Sequence, residues 1–295
     1  MAVSATHSEH RLDELTTYGL GGRPARYLRP TAYGELLRGL RQLRRADTPW
    51  RVLGGGSNVL AEDGRLSFAV IHICSPGFRW MRWQNDTTLT VGAGMRLPAL
   101  LARCADHGVG GLEFLAGIPG TLGGAVAGNA GAWDHDIAER VSSVCVVEPD
   151  GTLRTLDAEE LNWQYRGLGL GERIIVEAEL SLQQRSSGLV KERISQLKQK
   201  KLSRHPVTEN SAGCIFKNPP GASAGRLIDE CDLKGTKVGG AKVSERHANF
   251  IINTSNASPQ DVFELMQKVK REVKDNFGVE LESEVRRWHA ATPAA

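Results

Sequence analysis

Two stretches of this chain carry glycine too densely to be regular helix or strand throughout. One is Leu53-Gly54-Gly55-Gly56-Ser57-Asn58; the other is Gly117-Ile118-Pro119-Gly120-Thr121-Leu122-Gly123-Gly124-Ala125-Val126-Ala127-Gly128-Asn129-Ala130-Gly131-Ala132. Glycine weakens regular elements, permits positive φ, and lets the backbone approach another backbone or a ligand closely. Successive amide N–H groups in such loops can converge on phosphate oxygens. The first stretch follows a short apolar run, Trp50 to Leu53, read as a strand. In the second, Pro119 sits in a turn, and a small-residue helix starting near Thr121 would offer unpaired donors and a positive dipole end. A diphosphate between the two stretches fits this chemistry. One Gly-Gly-Gly alone would read as a tight turn or a close helix–sheet contact. Two stretches interleaved with Ser57, Asn58, Thr121 and Asn129 point to phosphate binding instead. Neither Gly-x-Gly-x-x-Gly nor Gly-x-x-x-x-Gly-Lys-Ser/Thr occurs, which argues against Rossmann and P-loop folds.

With 295 residues, 40% of them hydrophobic and 24% charged, the chain has the composition of a soluble protein that needs no disulfide staple. Its net charge of +3 is too small for a dedicated nucleic-acid binder and suits an anionic small molecule. The 6 Trp, 4 Tyr and 7 Phe are scattered and build no stacking platform, so no nucleic acid is expected as partner. Arg38, Arg41, Arg44 and Arg45 lie on one expected helix. Lys191, Arg193, Lys198, Lys200, Lys201 and Arg204 lie on or just after another, and for most of these a solvated face is the simplest reading. The 5 cysteines, at positions 74, 104, 145, 214 and 231, show no pairing pattern, and reduced thiols in a cytoplasmic protein are expected. Cys104 and His107 have helical spacing but no partner pair, so no metal site is expected. Met1 to Leu15 lacks the apolar core of an export signal, and no apolar run reaches membrane-spanning length.

Hydrophobic period places helices over Glu35–Ala46 and Leu97–His107, and strands over Phe68–Ile73, Thr87–Val91, Val141–Glu148, Thr152–Leu156 and Glu172–Leu182. Residues 1–30 read as irregular. Gln183 to Gly188 reads as a polar linker and main domain boundary, followed by a basic helix, Leu189–Leu202. The C-terminal part ends in strand Asn249–Ile252, a helix begun by Ser258, Pro259 and Asp261 and stopped by Gly278, and strand Val279–Arg286. A helix between two strands implies a parallel crossover on one sheet. On that last strand Glu280, Glu282 and Glu284 share a face which, by pattern alone, is the solvent face.

Further motifs follow in order: Tyr165-Arg166, then Cys214-Ile215-Phe216-Lys217-Asn218-Pro219, then His247-Ala248-Asn249-Phe250, then Glu284-Val285-Arg286. Alone, Cys214 would be a buried structural thiol. Together with the two glycine stretches, this ordered set resembles the UDP-N-acetylenolpyruvoylglucosamine reductase family from about Leu15 to Arg286. The length matches the shorter subtype, which lacks an extra loop over the substrate. The resemblance implies an α+β chain with a vanillyl-alcohol-oxidase-type FAD-binding fold and a C-terminal α+β substrate domain. It implies non-covalent FAD, NADPH as donor, and reduction of UDP-N-acetylglucosamine enolpyruvate to UDP-N-acetylmuramate for peptidoglycan. The expected division is 1–75 and 76–185 for two FAD-binding subdomains and 186–295 for substrate. A monomer is expected.

By the same resemblance, Arg166 holds the substrate carboxylate, Cys214 donates the proton and Glu284 is the second acidic group. Tyr165 falls on the substrate side, and Lys217 and Asn218 fall where the family contacts substrate or the nicotinamide cofactor. FAD is expected against Leu53, Gly54, Gly55, Gly56, Ser57 and Asn58, and against Gly117, Ile118, Pro119, Gly120, Thr121, Gly123, Gly124, Ala125, Asn129, Ala130 and Gly131. The family usually has Ser at Cys214, often Ser at Leu168, and Gly near Trp288-His289. Two other classes share part of the pattern: a flavin oxidase or dehydrogenase of the same fold acting on an alcohol or lactone, and a basic nucleotide- or RNA-binding module. The first would not require the Cys214–Asn218 and Glu284 sets; a yellow purified protein argues against the second.

Overall fold

Apolar runs broken by glycine set the first layer, and a computed structural model, which describes residues 10–289, shows how they pair. Strand β1 (Arg26–Leu28) leads into helix α1 (Tyr33–Arg45), which buries Leu36, Leu40 and Leu43. Strands β2 (Trp50–Leu53), β3 (Val59–Ala61) and β4 (Ala69–His72) follow. β4 lies between β1 and β2, parallel to both, and its Ala69, Val70 and Ile71 are buried on both faces, as a central parallel strand requires. Leu53 pairs with His72 where the first glycine stretch leaves this sheet.

Next come β5 (Met81–Trp83), β6 (Thr88–Gly92), helix α2 (Leu97–His107), β7 (Val109–Gly110) and the short helix α3 (Leu122–Ala127). After α3 run β8 (Gly131–Ala132), β9 (His135–Asp136), β10 (Val141–Val147), β11 (Leu153–Asp157), β12 (Trp163–Gln164), β13 (Gly167–Leu168) and β14 (Ile174–Ser181). Five of these make an antiparallel sheet in the order β11-β10-β14-β6-β5. Its buried face joins α1, α2 and α3 in one apolar core that includes Leu40, Leu100, Leu122, Val144 and Val176.

β15 (Gln183–Gln184) and helix α4 (Ser187–Arg204) lead out of this unit, with Leu197 still in its core. The rest is α5 (Ala224–Glu230), β16 (Lys237–Val238), β17 (Ala241–Val243), β18 (Ile251–Asn253), α6 (Pro259–Phe277) and β19 (Arg286–Trp288). A second core gathers Phe216, Ile228, Val243, Leu265 and Met266 with Tyr18 from the N-terminal segment. Tyr18 is fully buried, and its hydroxyl donates to Ile251 O at 2.7 Å, so the start of the chain is part of the C-terminal packing.

α6 begins with the expected capping box. Asp261 N–H donates to Ser258 Oγ at 3.1 Å, Ser258 N–H donates to Asp261 Oδ2 at 2.9 Å, and Gly278 ends the helix at φ +67. Other expectations need correction. Residues 26–28 are a strand, not irregular chain. The linker holds β15, paired with β7, and α4 begins inside it at Ser187. Only 286–288 of the last segment is strand, and it pairs parallel with β3, whereas β18 pairs with β17. The crossover therefore joins two sheets. The reason is local: Lys217 N–H donates to Glu282 O at 2.9 Å and Glu284 N–H donates to Ile215 O at 2.8 Å, so 282–284 are bonded to the Cys214 segment. The expectation of no export signal falls largely on residues 1–9, outside the described residues. Among the described residues, no helix is long and apolar enough to cross a membrane.

Candidate active site

The two glycine stretches meet face to face. A Cβ on Gly55 would stand 2.6 Å from Gly120 Cα, and one on Gly54 would stand 2.5 Å from Thr121 Oγ1, so only glycine allows this approach. Ser57 Oγ donates to Pro119 O at 3.1 Å across the junction. Gly56, Gly117 and Gly120 hold positive φ of +68, +77 and +126. The amide N–H groups of Gly55, Gly56, Ser57, Gly120, Thr121 and Gly124 find no acceptor among the described residues. Thr121 Oγ1 is buried and has no partner either. Unpaired donors at one junction suit an anion, and these residues fit the pyrophosphate of FAD.

Not every residue of the stretches faces that junction. Leu53 is core. Gly123 packs on Ala93, where a Cβ would come within 2.8 Å, and donates to Ala93 O at 2.8 Å. Asn129, at φ +40, spends its side chain inside the protein. Its Nδ2 donates to Gln164 O at 3.1 Å, and its Oδ1 accepts from Ala138 N–H at 3.3 Å. Ala130 N–H donates to Ala125 O at 2.8 Å.

Asn129 thereby fixes the hairpin β12–β13, whose two-residue loop is Tyr165-Arg166. Arg166 sits at φ +60, a left-handed conformation that costs a residue with a Cβ about 1 kcal/mol. Its guanidinium lies 5.1 Å from the Tyr165 ring centroid, and a Cβ on Gly131 would come within 2.9 Å of its Nη1. Gly131 thus leaves the room that the guanidinium fills. Arg166 Nε stands 3.3 Å from Glu284 Oε1, so residues from a hairpin loop and from the approach to β19 form one ion pair. Asn58 Nδ2 donates to Glu284 O at 3.2 Å, which ties the first glycine stretch to the same carboxylate-bearing segment.

Cys214, partly buried after Gly213 at φ +80, completes the group. Burial pushes its thiol up to about 12; the Glu284 charge adds to this, while Lys201 and Arg166 oppose it. Burial also raises Glu284, against the pull of Arg166, Lys217 and Lys201. Sequence reasoning missed Lys201. Its stem packs on Gly117, where a Cβ would meet its Cδ at 3.1 Å, and burial lowers its ammonium to about 8. Among the described residues nothing accepts a hydrogen bond from it. The only signal in the sequence was its place on a helix that buries Val190 and Leu197, since the neighbouring cations read as a solvated face. Lys200 beside it lies 4.5 Å from the Trp133 ring centroid.

The remaining expected residues sit at the rim. Tyr165 is exposed. Lys217 Nζ pairs with Glu282 at 2.6 Å, and Asn218 Oδ1 accepts from Ala224 N–H at 3.0 Å, holding the turn before α5. The three glutamates thus part company. Glu280 pairs with Lys274 and Glu282 with Lys217 on the exposed side, while Glu284 turns inward.

Residues 24–157 match the family model described as FAD binding domain, and residues 205–288 match UDP-N-acetylenolpyruvoylglucosamine reductase, C-terminal domain. A UDP-N-acetylenolpyruvoylglucosamine reductase of Syntrophotalea carbinolica is 38% identical over 93% of this chain and 91% of its own. The crystal structure of UDP-N-acetylenolpyruvylglucosamine reductase from Thermus caldophilus has a TM-score of 0.82 at 36% identity, covering 95% of this chain and 97% of that one. Phl p 4.0202, a glucose dehydrogenase, has a TM-score of 0.50 at 20% identity over 62% of this chain and 41% of its own, a likeness of fold alone. The FAD-binding part has the vanillyl-alcohol-oxidase-type fold. By sequence along nearly its whole length and by structure, this chain belongs to the UDP-N-acetylenolpyruvoylglucosamine reductase family.

Proposed function

We propose that the chain reduces UDP-N-acetylglucosamine enolpyruvate to UDP-N-acetylmuramate with NADPH, for peptidoglycan synthesis in the cytoplasm. The observation that carries this reading is the convergence of Arg166, Glu284, Cys214 and Lys201 beside the junction of the glycine stretches. FAD, bound at that junction, supplies hydride chemistry between NADPH and the methylene carbon of the substrate. The protein groups do the rest. Arg166 takes the substrate carboxylate in its planar fork, and with Lys201 it stabilises the negative charge that builds there in the enolate-like state. Cys214 Sγ–H then gives its proton to the carbon next to the carboxylate. Its raised pKa keeps the thiol protonated at neutral pH, the state a proton donor needs. Glu284, also raised, holds a proton more readily than a free carboxyl group and returns one to Sγ.

Tyr165, Lys217 and Asn218 form the outer rim on the substrate side. The division at about residue 75 falls between the β1-β4-β2 sheet and the five-stranded sheet, and that at about residue 185 falls between the five-stranded sheet and α4. The chain works as a monomer. The test is a visible spectrum followed by NADPH consumption. A yellow protein that consumes NADPH with the enolpyruvyl UDP sugar, and whose flavin simple alcohols do not reduce, is expected. Flavin reduction by alcohols, with no response to the enolpyruvyl sugar, would favour an oxidase instead.

A further inference from the structure

His72, which no motif singled out, stands at the end of β4 with its Nε2 3.0 Å from Gly54 O and its Nδ1 2.6 Å from the Tyr27 hydroxyl. Tyr27 comes from β1 opposite Val70, so it is the diagonal neighbour of His72 on one face of the parallel sheet. A carbonyl oxygen only accepts, so the ring N–H lies on Nε2, and Nδ1 accepts the Tyr27 proton. Burial supports this assignment: it pushes His72 down to about 4 and Tyr27 up to about 12, so the imidazole is neutral and the phenol keeps its proton at pH 7.

What this relay holds is a peptide unit between two glycines, Gly54 and Gly55, which has no Cβ to resist rotation. In a trans peptide the carbonyl and the following N–H point opposite ways. A Gly54 carbonyl fixed on His72 therefore turns the Gly55 N–H to the opposite side of the peptide, at a residue that stands against Gly120 and Thr121, whose amides are likewise without acceptors among the described residues. We propose that His72, clamped by Tyr27, is a positioning residue that locks the Gly54–Gly55 peptide with its N–H aimed at the cofactor pyrophosphate. The inference rests on FAD lying at the glycine junction.

The test is the release of FAD from diluted holoenzyme, followed by the recovery of flavin fluorescence, in wild type and three variants. His72→Leu removes the brace and is expected to release FAD about tenfold faster. His72→Gln keeps a donor and an acceptor at similar spacing and is expected to release FAD within about twofold of wild type. Tyr27→Phe leaves the imidazole unclamped and is expected to fall between them. Equal acceleration by Leu and Gln would assign the effect to packing and overturn the proposal; so would no acceleration by Leu. If His72→Leu fails to fold, Tyr27→Phe decides, and unchanged release overturns it. A wild-type protein that holds no flavin would remove the cofactor site and the proposal together, whereas unchanged release from a flavin-holding protein overturns the brace alone.

Discussion

Arg166 Nε lies 3.3 Å from Glu284 Oε1, with the two side chains 22% and 23% exposed. The guanidinium is the carboxylate's partner, yet burial outweighs it and Glu284 remains raised. A raised carboxyl group contributes stability that is whole below its unfolded pKa and lost as pH rises through the folded value. The melting temperature of wild type, measured against Glu284→Gln, is therefore expected to compare more favourably at pH 5 than at pH 8. A difference that grows with pH would contradict the assignment. Turnover of Glu284→Gln is expected to fall by about 100-fold.

A proton donor at Cys214 must be a neutral acid, and its thiol is pushed up to about 12. Cys214→Ser is expected to keep substantial turnover and Cys214→Ala to lose most of it, while NADPH still reduces the flavin in both. Stopped-flow traces of the two half-reactions separate these outcomes. Full turnover by the Ala variant removes Cys214 from the mechanism. The same raised pKa makes wild-type Cys214 slow to react with iodoacetamide at pH 7, since the thiolate is the nucleophile.

Lys201 carries its charge only below about pH 8. If that charge meets the substrate anion, kcat/KM is expected to fall as pH rises through this value, because kcat/KM reports the free enzyme. Lys201→Arg, charged at every working pH, is expected to move the fall upward or abolish it. A pH profile unchanged by this substitution would place Lys201 outside the substrate site.

Gly55→Ala tests the glycine junction. Its Cβ would press on the Gly120 backbone at 2.6 Å, and overpacking of this kind costs about 1–3 kcal/mol. The variant is expected to be purified with a lower flavin-to-protein ratio and to melt at a lower temperature. Full flavin content would show that the two stretches need not touch.

Much of this was legible in the sequence because it depends on local rules. The Ser258–Asp261 cap, helix Leu97–His107 and the positive-φ glycines of the two stretches follow from short-range chemistry. What failed depends on tertiary partners. Alternation put Glu280, Glu282 and Glu284 on one face, but bonds to Ile215 and Lys217 hold this segment against the Cys214 loop and turn Glu284 inward. Lys201 looked like any cation on a basic helix, and only its packing on Gly117 sets it apart. His72 belonged to no motif, because its role lies in what Tyr27 and Gly54 do around it.

In the proposed function, Arg166, from one hairpin, meets the substrate carboxylate beside a flavin held by the glycine stretches. The most direct measurement is a single turnover, in which NADPH-reduced enzyme is mixed anaerobically with the enolpyruvyl UDP sugar and flavin absorbance is followed. Wild type is expected to reoxidise with one product formed per flavin, and Arg166→Met to do so about 100- to 1000-fold more slowly. Reoxidation of Arg166→Met at the wild-type rate would contradict the account.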